Sequence, residues 1–179
     1  MSQVSRDSPF YLLTTVTTRR LPIFRTPEMR EVYCKALAEA RRSGGIEVYA
    51  YVVMHDHVHL ITNSTRTIKD TLRFINGISA RRLIDHLKAG GHETSLRKLR
   101  MQDKGKNYKY SLWQHHPHVF TIHGEDVLMQ KIGYLHLNPV RAGLVDEAFE
   151  YRHSSVRFWT KRATDDEPFV TDHRLILWR

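Results

Sequence analysis

Residues 51–63 read YVVMHDHVHLITN, and the alternation inside this stretch decides the fold. Successive side chains on an extended chain point to opposite faces. His57 and His59 therefore share one face, while Val58 and Leu60 anchor the other to a core. Residues 58–62 are predicted as one strand and residues 46–53 as the strand before it, with His55 and Asp56 in the tight connection between them. Upstream, residues 10–18 (FYLLTTVTT) are aromatic and β-branched and read as a further strand. Thr26, Pro27 and Glu28 supply an N-cap, a first-turn proline and an early acid, opening a helix to about Arg42 that Gly44 and Gly45 stop.

Downstream, Ile68, Leu72, Ile75, Leu83, Ile84 and Leu87 form an apolar stripe that predicts a second helix over residues 67–88. Residues 90–109 are polar and basic and read as a loop, and residues 113–122 as a strand. Gly124, Glu125 and Asp126 open a third helix. It must end near Asn138, because Pro139 disfavours helical geometry in the residue before it. The order β-α-β-β-α-β-α predicts an α+β, ferredoxin-like domain, an antiparallel sheet with helices packed on one face. Residues 1–179 are expected to form a single domain with a short irregular extension from about residue 146.

Composition narrows the function. Lys and Arg number 28 against 19 Asp and Glu, a formal net charge of +9. Such an excess suits a nucleic-acid partner, whose counterions Lys and Arg displace. No apolar run is long enough for a membrane span, and residues 1–9 are polar, so a cytoplasmic protein with no membrane partner is expected. The single cysteine, Cys34, excludes an internal disulfide and a thiolate zinc site, and reads as core filling.

Twelve histidines invite a search for metal spacing. Two imidazoles on one side of a rigid strand, His57 and His59, can share a metal ion. If the strand begins earlier, His55 joins them, and the trio resembles zinc-hydrolase spacing. Residues 131–145 read KIGYLHLNPVRAGLV. Tyr134 and Asn138 are one helical turn apart and lie on one face. Taken alone, they read as a packing tyrosine and a helix end before proline.

Together, MHDHVHLIT and GYLHLNPVRAGLV resemble the two signature blocks of the REP-associated tyrosine transposases, in the single-tyrosine branch of the HUH (His-hydrophobic-His) nucleases. The resemblance spans most of the chain, from the opening strand through Trp113-Gln114 to Ser154-Ser155. The family usually carries Pro-Asn where His55-Asp56 stands here. The resemblance implies that His57 and His59 are metal ligands with Asn138 as a third, that the divalent metal is Mg²⁺ or Mn²⁺, and that Tyr134 is the nucleophile. It also implies a ferredoxin-like fold and single-stranded or hairpin DNA as partner, with monomer and homodimer both open. Tyr134 would attack phosphorus, form a 5′-phosphotyrosine bond and release a 3′-hydroxyl, so the phosphodiester is kept for rejoining. Candidate DNA contacts are Lys69, Arg73, Arg81 and Arg82 on the second helix, Lys131 and Arg141 beside the nucleophile, and Lys98, Arg100, Lys104 and Lys106 in the basic stretch. Tyr108, Tyr110 and Trp113 are candidates for stacking on bases, with Trp113 better placed in the core. Two rival readings are a zinc hydrolase built on His55, His57 and His59, and a nucleic-acid-binding protein without nuclease activity.

Overall fold

The computed structural model describes residues 2–4, 10–101, 109–165 and 167–178. The chain runs through β1 (Ser2–Val4), β2 (Phe10–Val16), α1 (Pro27–Gly44), β3 (Ile46–Val53), β4 (His57–Ser64), α2 (Ile68–Ala89), α3 (Glu93–Leu99), β5 (His118–Ile122), α4 (Glu125–His136), α5 (Asn138–Arg141), α6 (Val156–Trp159) and β6 (Ile176–Trp178). The ends of α1 are set by local chemistry. The Met29 amide donates to Thr26 Oγ1, Pro27 occupies the first turn, and Gly45 takes the left-handed conformation (φ 61°) that releases the chain into β3.

Strands β3-β4-β2-β5 form one antiparallel sheet in that order, the split β-α-β arrangement expected of the ferredoxin-like plan. The β1 and β6 strands add a small parallel pair that the sequence pattern did not announce. Alternation along the sheet sorts two cores. Leu13, Tyr51, Val53, Val58 and Leu60 meet Leu37 of α1, Ile75 and Leu83 of α2, and Leu96 and Leu99 of α3. Phe10, Leu12, Ala50, Val52 and Ile61 meet Leu128, Ile132 and Leu135 of α4. Helices α1 and α2 thus share one face of the sheet as expected, and α4 covers the other. Each of these fully buried leucines and isoleucines contributes on the order of 2 kcal/mol by leaving water. No helix among the described residues is long and apolar enough to cross a membrane.

Two segments differ from the sequence reading. Within the basic stretch, Leu96 and Leu99 are three apart and both buried, so α3 forms where a loop was expected. The strand expected over residues 113–122 is shortened to β5. Trp113 instead sits in the core, makes an isolated bridge to Thr17, and donates its indole N–H to Ser79 Oγ at 3.2 Å.

The segment after α5 is bound to the sheet edge. Tyr51 N–H donates to Ser155 Oγ (2.9 Å), Ser155 N–H donates to the Tyr51 carbonyl (2.9 Å), and His136 Nε2 lies 2.8 Å from Ser155 Oγ. Burial pushes the His136 imidazole down to about 4. Above about pH 6.5 the ring is neutral in both folded and unfolded chains and carries no pH dependence. As pH falls from there toward 4, the unfolded chain takes a proton that the folded state refuses, so stability is lost. Between pH 7 and pH 5 this one group should cost about 2 kcal/mol. Denaturant titrations at the two pH values should therefore show a smaller loss for His136→Gln than for the wild type. Equal losses in the two proteins would refute the assignment.

Candidate active site

His57 and His59 stand on β4 facing α4, on the side opposite Val58 and Leu60. Their ring centroids are 4.9 Å apart and nearly perpendicular. Both rings are held through Nδ1. His57 Nδ1 lies 2.6 Å from Asp56 Oδ1, and His59 Nδ1 lies 2.8 Å from Thr14 Oγ1, its cross-strand neighbour on β2. A carboxylate only accepts, so the hydrogen of that bond sits on His57 Nδ1, and its Nε2 lone pair is left for a ligand. Burial, and then the charge on His57, pushes His59 down to about 4, so it stays neutral near pH 7. Asp56 is pulled both ways. Burial raises its pKa, and hydrogen bonds and charge from His57 and Arg20 outweigh this and hold the carboxyl below its usual range.

This donor set fits a divalent cation. Imidazoles oriented by carboxylate and hydroxyl partners at Nδ1 are the arrangement that fixes a histidine ligand. His55 does not join it. Its main-chain oxygen accepts from Phe24 N–H, and burial, with the charges of Arg30 and Arg25, lowers its pKa. Among the described residues no group of three His, Cys, Asp or Glu side chains is placed to hold a metal ion. The three-histidine zinc site is therefore absent.

Tyr134 comes to the histidine pair from α4. Leu128, Ile132 and Leu135 turn one side of that helix into the core, which leaves Tyr134 on its flank, 47% exposed. Its ring centroid lies 6.4 Å from that of His59, and the Arg141 guanidinium lies over the same ring at 4.9 Å. Helix α4 stops at His136, Leu137 stays near helical geometry (φ −82°, ψ −6°), and α5 follows at once with Pro139 in its first turn, which carries Arg141 over the phenol. Asn138 Nδ2 donates to the Tyr134 and Leu135 carbonyls at 3.0 and 3.2 Å, closing the end of α4 and leaving only Oδ1 for any other partner.

Lys131, one turn before Tyr134, lies over the Phe120 ring at 4.3 Å. Phe120 pairs with Leu12, so it projects to the α4 side of the sheet, where it is 37% exposed. The cations of α2 are elsewhere. Lys69, Arg73, Arg81 and Arg82 are exposed on the helix that packs with α1 against the opposite face, and Arg82 already makes two hydrogen bonds to Glu39. Lys98 and Arg100 are exposed on and after α3, and Tyr110 is half-buried with Lys88 and Lys109 near its ring. Lys104, Lys106 and Tyr108 lie outside the described residues.

Thr14, Asp56, Arg20 and Phe120 were not singled out from sequence. Thr14 comes opposite His59 only through the register of β2 on β4, which the sequence pattern does not give.

Comparison with known proteins supplies the family and the fold. The family described as Transposase IS200 like matches residues 8–134, a span that contains both histidines and reaches the tyrosine. No curated protein matches the sequence. Among solved structures, a REP-associated tyrosine transposase bound to a REP hairpin is similar, with 17% identity over 97% of this chain and 96% of that one, at a TM-score of 0.62; it shares the fold. A candidate transposase from Deinococcus radiodurans is 26% identical over 71% of this chain and 88% of its own, with a TM-score of 0.49. With a family match over well over half its length, the chain belongs to the IS200-like transposases, enzymes that cut and rejoin DNA.

Proposed function

We propose that the chain nicks single-stranded DNA at hairpin-forming sites through Tyr134, with His57 and His59 holding a divalent metal ion and Asn138 Oδ1 as a third ligand. The observation that carries this reading is the Tyr134 ring beside His59, 6.4 Å between centroids, with both residues in one chain. The phenol is open to solvent at 47% exposure and the His57 side chain at 22%, while His59 lies deeper at 8%, so a phosphate would approach from the Tyr134 and His57 side.

In the proposed reaction Tyr134 Oη forms a bond to phosphorus as the bond from phosphorus to the 3′-oxygen breaks. The phenol's proton is lost, and the 3′-oxygen leaves as a hydroxyl. The 5′-phosphate stays on the tyrosine, and a second 3′-hydroxyl reverses the step to reseal the strand. A divalent cation, Mg²⁺ or Mn²⁺, supplies Lewis-acid neutralisation of charge on the non-bridging phosphate oxygen. His59 stays neutral, both imidazoles stay oriented through Nδ1, Arg141 covers one face of the phenol ring, and Asn138 fixes the end of the helix that carries it.

The DNA strand is proposed to run over the uncovered side of α4, with Lys131 and Arg141 on phosphates and Phe120 against a base. The α2 cations, Lys69, Arg73, Arg81 and Arg82, would form a separate patch for the paired part of a hairpin. Removing one phosphate contact with Lys131→Ala should weaken binding at every sequence. It should also shallow the dependence of log K on log salt by about 0.7. An unchanged slope would take Lys131 off the strand's path.

The same reading treats residues 1–179 as one cytoplasmic domain, supported by Tyr151 and Ile176 joining the α4-side core. The deciding experiment incubates the protein with single-stranded hairpin DNA and Mn²⁺ and looks for a covalent protein–DNA adduct on a denaturing gel. Hairpin binding without an adduct, under varied metals, would favour a binding protein without nuclease activity.

A further inference from the structure

The turn before β4 is braced more heavily than a hairpin needs. Thr17 donates its N–H to the Asp56 main-chain oxygen (2.8 Å), its Oγ1 hydroxyl is shared between that oxygen (2.9 Å) and the Leu21 oxygen (2.7 Å), and Phe24 N–H donates to the His55 oxygen (2.9 Å). The bracing segment is itself strained. Arg19 and Arg20 stand consecutively in the left-handed region, at φ 54° and 53°. For residues with a Cβ this costs on the order of 1 kcal/mol each, and such strain persists only where surrounding contacts impose it. The contacts are visible. Arg19 donates to the Lys98 carbonyl of α3, and Arg20 NH1 donates to Asp56 Oδ2 at 3.0 Å.

Asp56 is therefore bound at both oxygens, by Arg20 at Oδ2 and by His57 Nδ1 at Oδ1, 2.6 Å. Arg20 is 65% exposed, so the ion pair adds little stability. What it adds is direction, because it fixes the carboxylate plane that aims the imidazole. From this geometry we infer that Arg20 and Asp56 are positioning residues: Arg20 locks the Asp56 carboxylate, which holds His57 in the Nδ1-protonated tautomer and leaves Nε2 as its ligand atom. The inference rests on the reading of His57 as a metal ligand. It adds a carboxylate–histidine–metal relay, a device that typically governs affinity by 10- to 100-fold.

Substitution at Asp56 leaves the turn intact, because Thr17 grips its main-chain oxygen and not its side chain. Asparagine in the same pose puts an NH₂ donor where one of the two oxygens stood, so it loses the acceptor facing either Arg20 or His57. The test uses the full chain in two arms. Nitrogen-15 NMR of the metal-free protein reads the His57 tautomer, and electron paramagnetic resonance reads Mn²⁺ affinity. The wild type should show Nδ1-protonated His57, and Asp56→Ala a tautomer mixture with Mn²⁺ binding weakened by roughly 10- to 100-fold. Asp56→Asn and Arg20→Gln should fall between the two. An unchanged tautomer together with wild-type Mn²⁺ affinity in Asp56→Ala overturns the inference. If the wild type binds no Mn²⁺, the metal reading itself fails. The NMR arm then decides alone: a tautomer that shifts in Asp56→Ala upholds the role of Asp56, and one that stays overturns it.

Discussion

Tyr134→Phe should leave hairpin DNA uncut and free of covalently bound protein, a fall in adduct formation of at least about 10³-fold, since nothing else in the site replaces a lost nucleophile. The substitution removes one oxygen from a ring that is 47% exposed, so stability should change by less than about 0.5 kcal/mol. The remaining ring keeps its place beside His59 and beneath Arg141. DNA binding should therefore survive, measured by gel shift or anisotropy on the same hairpin, and only the chemical step should vanish. That split separates the two readings of the histidine pair. A hydrolytic site needs no phenol and would keep cutting in Tyr134→Phe, yielding free ends and no adduct. Persistent cutting at the wild-type rate would end the tyrosine mechanism while leaving the IS200-like family assignment untouched.

The parts of this site that could be read from sequence are those set by short-range periodicity. Alternation in residues 51–63 placed His57 and His59 on one face because the strand period holds whatever surrounds it. The spacing of Tyr134 and Asn138 likewise followed from one helical turn. What brought tyrosine and histidines together is a long-range matter. It depends on α4 crossing to the face that α1 and α2 leave open, which follows from Ile61, Leu12 and Val52 alternating outward to meet Leu128, Ile132 and Leu135. A pattern of helices all on one face does not contain that information. The partners of the imidazoles were hidden for a related reason. Thr14 reaches His59 only through strand register, and Arg20 reaches Asp56 only because a strained segment bends back to it. Within the loop expected over residues 90–109, residues 93–99 form α3 because two leucines three apart, Leu96 and Leu99, gain enough by burial to order a polar stretch. Asn138 was read as a ligand by resemblance, and its amide nitrogen is engaged by the end of α4, which leaves that role to Oδ1 alone.

His59→Ala and His57→Ala should both abolish the adduct, with Mn²⁺ affinity falling by at least about 100-fold, because one imidazole alone is a weak ligand for such an ion. Their stabilities should differ, and the difference tests the site as drawn. His59 is 8% exposed and bonded to Thr14, so its removal leaves a small cavity and strips a partner from a half-buried hydroxyl. Together these cost about 1–3 kcal/mol by denaturant titration. The His57 side chain is 22% exposed and its partner Asp56 keeps Arg20, so His57→Ala should cost under about 1 kcal/mol. In both variants Val58 and Leu60 still anchor β4 to the opposite core, and lost activity cannot then be ascribed to an unfolded strand. A chelator added to the wild type should reproduce the loss of adduct with no change of sequence at all. If either variant formed adduct at the wild-type rate, the imidazole pair would be a packing feature. The phenol would then have to be served by groups on its other side, where Arg141 already lies.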